Sequence, residues 1–182
     1  SLSKLGEPIV FQPWLAGVFL WLTYQIGGIT FTFLLRGLLI FITYGLVWYM
    51  IRNASNVYLA TILVLILGAA TVNNWAVRSQ LFVYPLFVLS VWCILQWQMG
   101  DHRGLWLLPF VVLLWVNLHG SYILPLALAG MALVAGSGRK KLMLMAFLGM
   151  LFATLITPLG FGLWPYFVFM LDAPSVQNFV TE

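Results

Sequence analysis

Long apolar runs, interrupted by short breaks of amides, charges, glycine and proline, organise this chain. Six runs stand out, at 31–51, 57–72, 81–97, 105–118, 122–135 and 142–156. Stretches such as 59–67 and 142–155 do not alternate apolar with polar residues, as strands of a membrane barrel would. The pattern therefore predicts helices. Several runs fall short of the ~20 residues that a typical span needs, which tilt or local thinning accommodates. Two further stretches, 14–24 and 161–171, predict short interfacial or re-entrant helices. The expected fold is all-α: a polytopic helical membrane bundle of about six transmembrane helices plus two short ones. With no repeat, heptad or low-complexity tract, 1–182 is expected to form a single transmembrane domain.

Composition strengthens the membrane reading. The chain is 63% hydrophobic and 7% charged, with nine Trp and fourteen Phe, and its mean hydropathy is +1.05. A soluble core of this size leaves too much surface to hide that content. The net charge of +4 does not point to nucleic acid, because the basic residues are scattered between apolar runs. Their placement is instead that of the positive-inside rule. Arg52 lies in the break at 52–56, Arg103 beside Asp101 and His102 in that at 98–104, and Arg139, Lys140 and Lys141 in that at 136–141. These alternate with breaks at 73–80, 117–121 and 157–160, whose single basic residue is Arg78. The 52–56, 98–104 and 136–141 loops are thus expected to be cytoplasmic and the others outward. A rival topology treats 105–135 as one helix broken at His119-Gly120. It would put Arg103 and the 139–141 cluster on opposite sides, against the charge rule, so a tight hairpin is favoured. Cys93 sits within an apolar run, which leaves no internal disulfide. Asn53-Ala54-Ser55 reads as a glycosylation acceptor, but one on the cytoplasmic side and therefore inert.

On this topology the outward breaks collect the chain's amides. Asn73, Asn74, Arg78 and Gln80 lie in one, Asn117 and His119 in another. Arg36, near the outer end of its span, can snorkel toward the same face. Lys4, Glu7, Gln12, Asp172, Gln177, Asn178 and Glu182 belong to the same side. Arg78 offers a planar fork suited to phosphate or carboxylate; the plainer reading is a headgroup anchor. His119, followed by Gly120, can act as an acid or base or donate to an anion; the plainer reading is a turn histidine satisfied by a nearby carbonyl. Asn74, Gln80 and Asn117 complete the candidate substrate-binding set. No second histidine or carboxylate stands at ligand spacing beside His119, so no metal or other cofactor is expected. Asp172, Glu182 and Glu7 have no partners at defined spacing, and His102 reads as a solvated turn residue. Trp14, Trp75, Trp106, Trp115 and Trp164 lie near span ends, where an aromatic belt is expected. No Walker loop, nucleotide fingerprint, nucleophile elbow or HExxH motif occurs.

Four stretches resemble a group of bacterial polytopic membrane proteins that look like GT-C type glycosyltransferases. Leu5-Gly6-Glu7-Pro8 with Trp14-Leu15 resembles the end of a first outer loop and its interfacial helix. Arg78-Ser79-Gln80-Leu81-Phe82 resembles an Arg-Pro-Gln-aromatic entry to a span. Trp115-Val116-Asn117-Leu118-His119-Gly120 matches a Trp-x-Asn-x-His-Gly turn. Thr157-Pro158-Leu159-Gly160, with Trp164 and Tyr166 and then Phe179-Val180-Thr181-Glu182, resembles an Asn-Pro-x-Gly turn and a later Glu-Trp. Departures occur at Ser79 (usually proline), at Gln12-Pro13 (His-Glu) and at Thr157 (asparagine). The resemblance implies a multi-pass protein of the bacterial inner membrane, binding membrane lipid and a polyprenyl-phosphate-linked sugar. Arg78 and His119 would then hold phosphate, while Gln80, Asn74 and Asn117 would bind phosphate or sugar hydroxyls. The family's catalytic carboxylate follows a first span, which would precede Ser1. The chain has no signal peptide pattern and ends in a polar stretch, and it is expected to be a piece of a longer protein.

Two other classes remain open. A transporter or flippase for a lipid-linked or amphiphilic solute would need midplane polarity and discontinuous helices. A non-catalytic scaffold for envelope assembly would use the polar breaks only to pack loops.

Overall fold

The computed structural model describes residues 13–172, and those residues form helices joined by short turns. The α-helices are α1 (Trp14–Ala54), α2 (Val57–Thr71), α3 (Val83–Gln98), α4 (Leu108–Leu118), α5 (Ile123–Ala135), α6 (Lys140–Ala153) and α7 (Leu163–Asp172). Tight 3-10 turns at Val72–Asn74, Ser79–Phe82, Arg103–Leu107, Gly120–Tyr122 and Gly160–Gly162 link or extend them. No strand occurs among the described residues. The chain is an all-α helical bundle.

Three helical stretches are long and apolar enough to cross a membrane: Trp14–Ala54, Val57–Asn74 and Ser79–Gln98. Arg103–Leu118 and Gly120–Ala135 are apolar but shorter. The chain is therefore a membrane protein, and among the described residues the expected spans comprise three helices of full membrane length and shorter apolar ones. The short helix α4 is the most enclosed. Seven of the eleven residues of α4 are buried, whereas α2 buries only Ala60. In lipid, apolar burial drives little helix association, and close van der Waals packing takes its place. The α4–α6 contact shows how: a Cβ added to Gly149 would lie 2.9 Å from Pro109. Trp97, Trp115, Tyr122, Leu108, Met143 and Met150 fill the space around this seam.

The short helix expected at 14–24 forms the first part of α1, which is interrupted at Gly27 (φ −150°, ψ 22°) and Gly28 (φ 62°, ψ −151°) before the first span begins. Only two residues interrupt two apolar, helix-competent segments, so the chain resumes its helix at once. Gly28 occupies the left-handed region that favours glycine, and a Cβ on Gly27 would overlap the Phe31 ring. The stretch at 161–171 does form a short helix, α7.

Side-chain ties sort the breaks into two ends. Trp97 Nε1 donates to the Arg139 carbonyl (3.2 Å), and Asn53 and Ala54 line one cavity with Gln98 and Met99. The three basic breaks thus share one end. There Lys140 Nζ donates to the carbonyls of Ala132 (3.3 Å), Leu133 (2.5 Å) and Val134 (3.1 Å), capping the C-terminus of α5 with positive charge. At the opposite, amide-rich end, Trp14 meets Asn117, Phe19 stacks on Phe82 and Phe87 packs edge-on against Trp115. Since α5 returns to the end where α4 begins, Leu105–Ala135 is a hairpin and not one interrupted helix.

Gly136 and Gly138, at the basic end, are sterically committed. A Cβ on Gly138 would lie 2.7 Å from the Trp97 carbonyl oxygen, whereas one on Gly162 would meet open space. Gly138→Ala is expected to destabilise the protein by about 1–3 kcal/mol through overpacking, and Gly162→Ala to leave it unchanged. Cys93 is fully buried, so a thiol-reactive dye that reports its exposure during heating in detergent measures both.

Candidate functional site

Three of the sequence candidates lie on the break between α2 and α3. Arg78 has extended backbone (φ −142°, ψ 163°), and its carbonyl accepts the Leu81 N–H (3.0 Å), which opens the Ser79–Phe82 turn. Leu81 and Phe82 are buried and anchor that turn against α1 and α4. Arg78 and Gln80 are left exposed beside them. Asn74 is also exposed, and its carbonyl accepts the Tyr84 hydroxyl (3.4 Å). Below it, Trp75 Nε1 donates to Tyr44 Oη (3.3 Å), which is bonded in turn to Thr71 Oγ1. A cavity of about 310 Å³ opens here, with Val47, Leu67, Phe87 and Val88 in its wall.

Asn117 has a different place. It is buried and its polar atoms are engaged within the chain. Oδ1 accepts Trp14 Nε1–H (2.8 Å), and Nδ2 donates to the carbonyls of Leu113 (2.9 Å) and Ile156 (3.0 Å). The side chain ties α1, α4 and the end of α6 together, which makes it a positioning residue for the turn that follows.

That turn carries His119. Its backbone is extended (φ −162°, ψ 147°), which stops α4 and frees the imidazole to cap the Gly120–Tyr122 turn. Nδ1 accepts the Ser121 N–H (3.1 Å) and lies 2.8 Å from Ser121 Oγ. Trp115 Nε1 donates to that same Oγ (3.1 Å), so the hydroxyl proton is directed at Nδ1. Nδ1 is therefore the acceptor, and the neutral ring carries its proton on Nε2 as an outward donor. Burial pushes the His119 pKa below its ordinary value of 6.5, and donors aimed at Nδ1 act in the same sense. The ring is neutral at pH 7.

The tryptophans divide differently from the expected belt. Trp106 is half exposed, but Trp115 is 1% exposed and belongs to the core. Trp164 Nε1 donates to Thr154 Oγ1 (3.3 Å) and its ring packs on Tyr122. These links, and the Trp115–Ser121–His119 chain, are the features that sequence reasoning missed. Their only signals were the short spacings within 115–121. Arg36 packs over the Phe33 ring at 4.8 Å. It precedes Tyr44 by two helical turns, about 12 Å, and Tyr44 already sits beside Thr71 at the amide-rich end.

The amide-rich end thus brings the Arg78–Gln80 turn and the His119 turn onto the same helix, α4, with Asn117 beneath. Lys4, Glu7, Gln12, Gln177, Asn178, Glu182 and the Asp172 side chain lie outside the described residues. So do two of the resembling stretches, Leu5-Gly6-Glu7-Pro8 and Phe179-Val180-Thr181-Glu182. Among the described residues, no group of three or more His, Cys, Asp or Glu could hold a metal. Fold and site together define a polytopic helical membrane protein with a cationic and amide-bearing end. No known protein family, curated protein or solved structure matches the chain.

Replacing Asn117 by alanine removes a buried amide that bonds groups on three segments. It is expected to destabilise the protein by about 2–3 kcal/mol, while Arg78→Ala and Gln80→Ala, at exposed positions, stay within about 0.5 kcal/mol. Equal losses in all three, read by thermal unfolding, would contradict the division of roles. His119 also makes stability depend on pH. Folding lowers its pKa, so the unfolded chain takes up the proton first. Stability is intact above pH 6.5 and is lost as pH falls through the folded-state value. Between about pH 7.5 and about pH 5.5 the unfolding midpoint should therefore drop more in the parent than in His119→Gln.

Proposed function

We propose that the chain is the membrane domain of a GT-C-like glycosyltransferase of the bacterial inner membrane. It would take sugar from a polyprenyl-phosphate carrier at the outer face, with the basic end cytoplasmic as the positive-inside rule requires. The observation that carries the reading is an exposed arginine and a pre-set histidine donor at the same end of the bundle, on two turns that each contact α4.

In such a transfer the acceptor hydroxyl attacks the anomeric carbon while the carbon–oxygen bond to phosphate breaks. The bonding electrons leave on the phosphate oxygen. The Arg78 guanidinium supplies a fork for that oxygen and its neighbours. His119 supplies one more hydrogen bond through Nε2–H without needing a charge. Because Nδ1 is already held by Ser121, this donor needs no reorientation when charge develops. Gln80 and Asn74 offer amides to phosphate or sugar hydroxyls. The carboxylate that would take the acceptor proton is the group that the family resemblance places before Ser1.

One feature favours the transporter reading: the interruption of α1 at Gly27–Gly28 makes it a discontinuous helix. Against it, the arginine and amides of the site lie at one end of the bundle, not midway along it.

Sugar transfer from polyprenyl-phosphate donors, assayed with the full-length protein in membranes, distinguishes the two. Arg78→Ala and His119→Ala should each lower transfer by about 10²-fold while the protein stays folded, and Arg78→Lys should recover part of the loss. Full activity in both alanine variants would reject these roles. Solute flux into liposomes without transfer would favour the transporter.

A further inference from the structure

Two cavities follow one another along α1 and α3, and together they make a furrow that α2 walls at the amide-rich end. At the amide-rich end it is the cavity of about 310 Å³ bordered by Val47 of α1, Leu67 of α2 and Val88 of α3. A second cavity, of about 410 Å³, follows at the basic end between Met50 and Ala54 of α1 and Trp92 and Met99 of α3. The two lie on the same helix faces. Tyr84, Val88, Trp92, Leu95 and Met99 recur at three- and four-residue intervals along α3, as do Val47, Met50 and Ala54 along α1. From Tyr84 to Met99 the furrow is about 22 Å long.

Both ends of the furrow are polar and its middle is apolar. Asn74 and Tyr84 stand at one end, and Asn53, Gln96 and Gln98 at the other. A lipid from one leaflet would meet only one polar end. A membrane-crossing helix with polar ends meets both. The chain itself carries such a helix in α2. Its fifteen residues extend about 22 Å, it is apolar all round, and Asn56 and Asn73 flank it. It is also the least enclosed of the spans, with α1 as its main helical partner.

We infer that two copies of this chain pair about a two-fold axis along the membrane normal, with α2 of each copy lying in the furrow of the other. Copies inserted in the same orientation allow only that axis. It places the helices in the order α3, partner α2, own α2, partner α3, so one symmetric contact fills both furrows. It also keeps like ends together. The partner's Asn56 comes to the Gln96–Gln98 end, and the partner's Asn73 to the Tyr84 end, where amides and hydroxyls pair across the contact. Packing then replaces lipid on the exposed face of α2, which includes Ile62 and Ile66. The partner's amide turn also joins the edge of the Arg78 site.

Cross-linking tests the pairing in native membranes. One copy of the full-length protein carries Ile66→Cys, and a differently tagged copy carries Val88→Cys; these two positions sit at matching depth. Oxidation should give a product bearing both tags. Neither variant paired with the parent chain should give it, because Cys93 is buried, nor should Met131→Cys on the exposed face of α5 paired with Val88→Cys. Absence of the Ile66–Val88 product overturns the proposal, as does trapping of a photoactivatable phospholipid by Val88→Cys in its place. Single-molecule photobleaching in lipid, which needs no cysteine, should count two copies. Single copies at every density would overturn the pairing even if the variants fold poorly.

Discussion

The amide of Asn117 is the interaction on which the amide-rich end depends. In lipid a buried polar group without a partner is costly, and here one side chain satisfies an indole N–H from α1 and carbonyls in α4 and beyond α6. The bonds span 103 and 39 residues of sequence. They set how far α4 extends before the chain leaves its helix at His119. The histidine's capping bonds, and the direction in which it presents Nε2–H, follow from that stop. A small polar centre thus positions the groups that surround it, while seams such as Gly149 against Pro109 hold the helices beneath at close range.

Much of the architecture could be read directly from the chain. Apolar runs separated by short polar breaks give helices, and the alternation of basic with amide-rich breaks anticipates which turns share an end. Trp97 bonded to Arg139 and Trp14 bonded to Asn117 are the physical form of that sorting. The separation of the short first helix from the first span was legible in the runs 14–24 and 31–51, but the packing at the break was not: Phe31 occupies the space a Cβ on Gly27 would need. The enclosure of α4 by its neighbours could not be read from its length or composition. A run of apolar residues does not reveal whether its faces meet lipid or other helices.

The site was half legible. Arg78, Gln80 and Asn74 are exposed, as residues available to a ligand must be. Asn117 has the same chemistry and the opposite situation. Its partners come from distant segments, which no local spacing reveals. Trp115 presents the same difficulty: a tryptophan near a helix end suits an interfacial belt, yet this one is enclosed and directs the Ser121 proton toward His119. The division that results is between groups that build the end of the bundle and groups that face outward from it.

The central claim is that Arg78 and His119 converge on one phosphate. A cryo-EM structure of the full-length protein with a bound polyprenyl phosphate tests this most directly. The account predicts phosphate oxygens within about 3 Å of both the Arg78 guanidinium and His119 Nε2, with Asn117 still bonded to Trp14. A phosphate bound at the basic end, or held without either side chain, would contradict it.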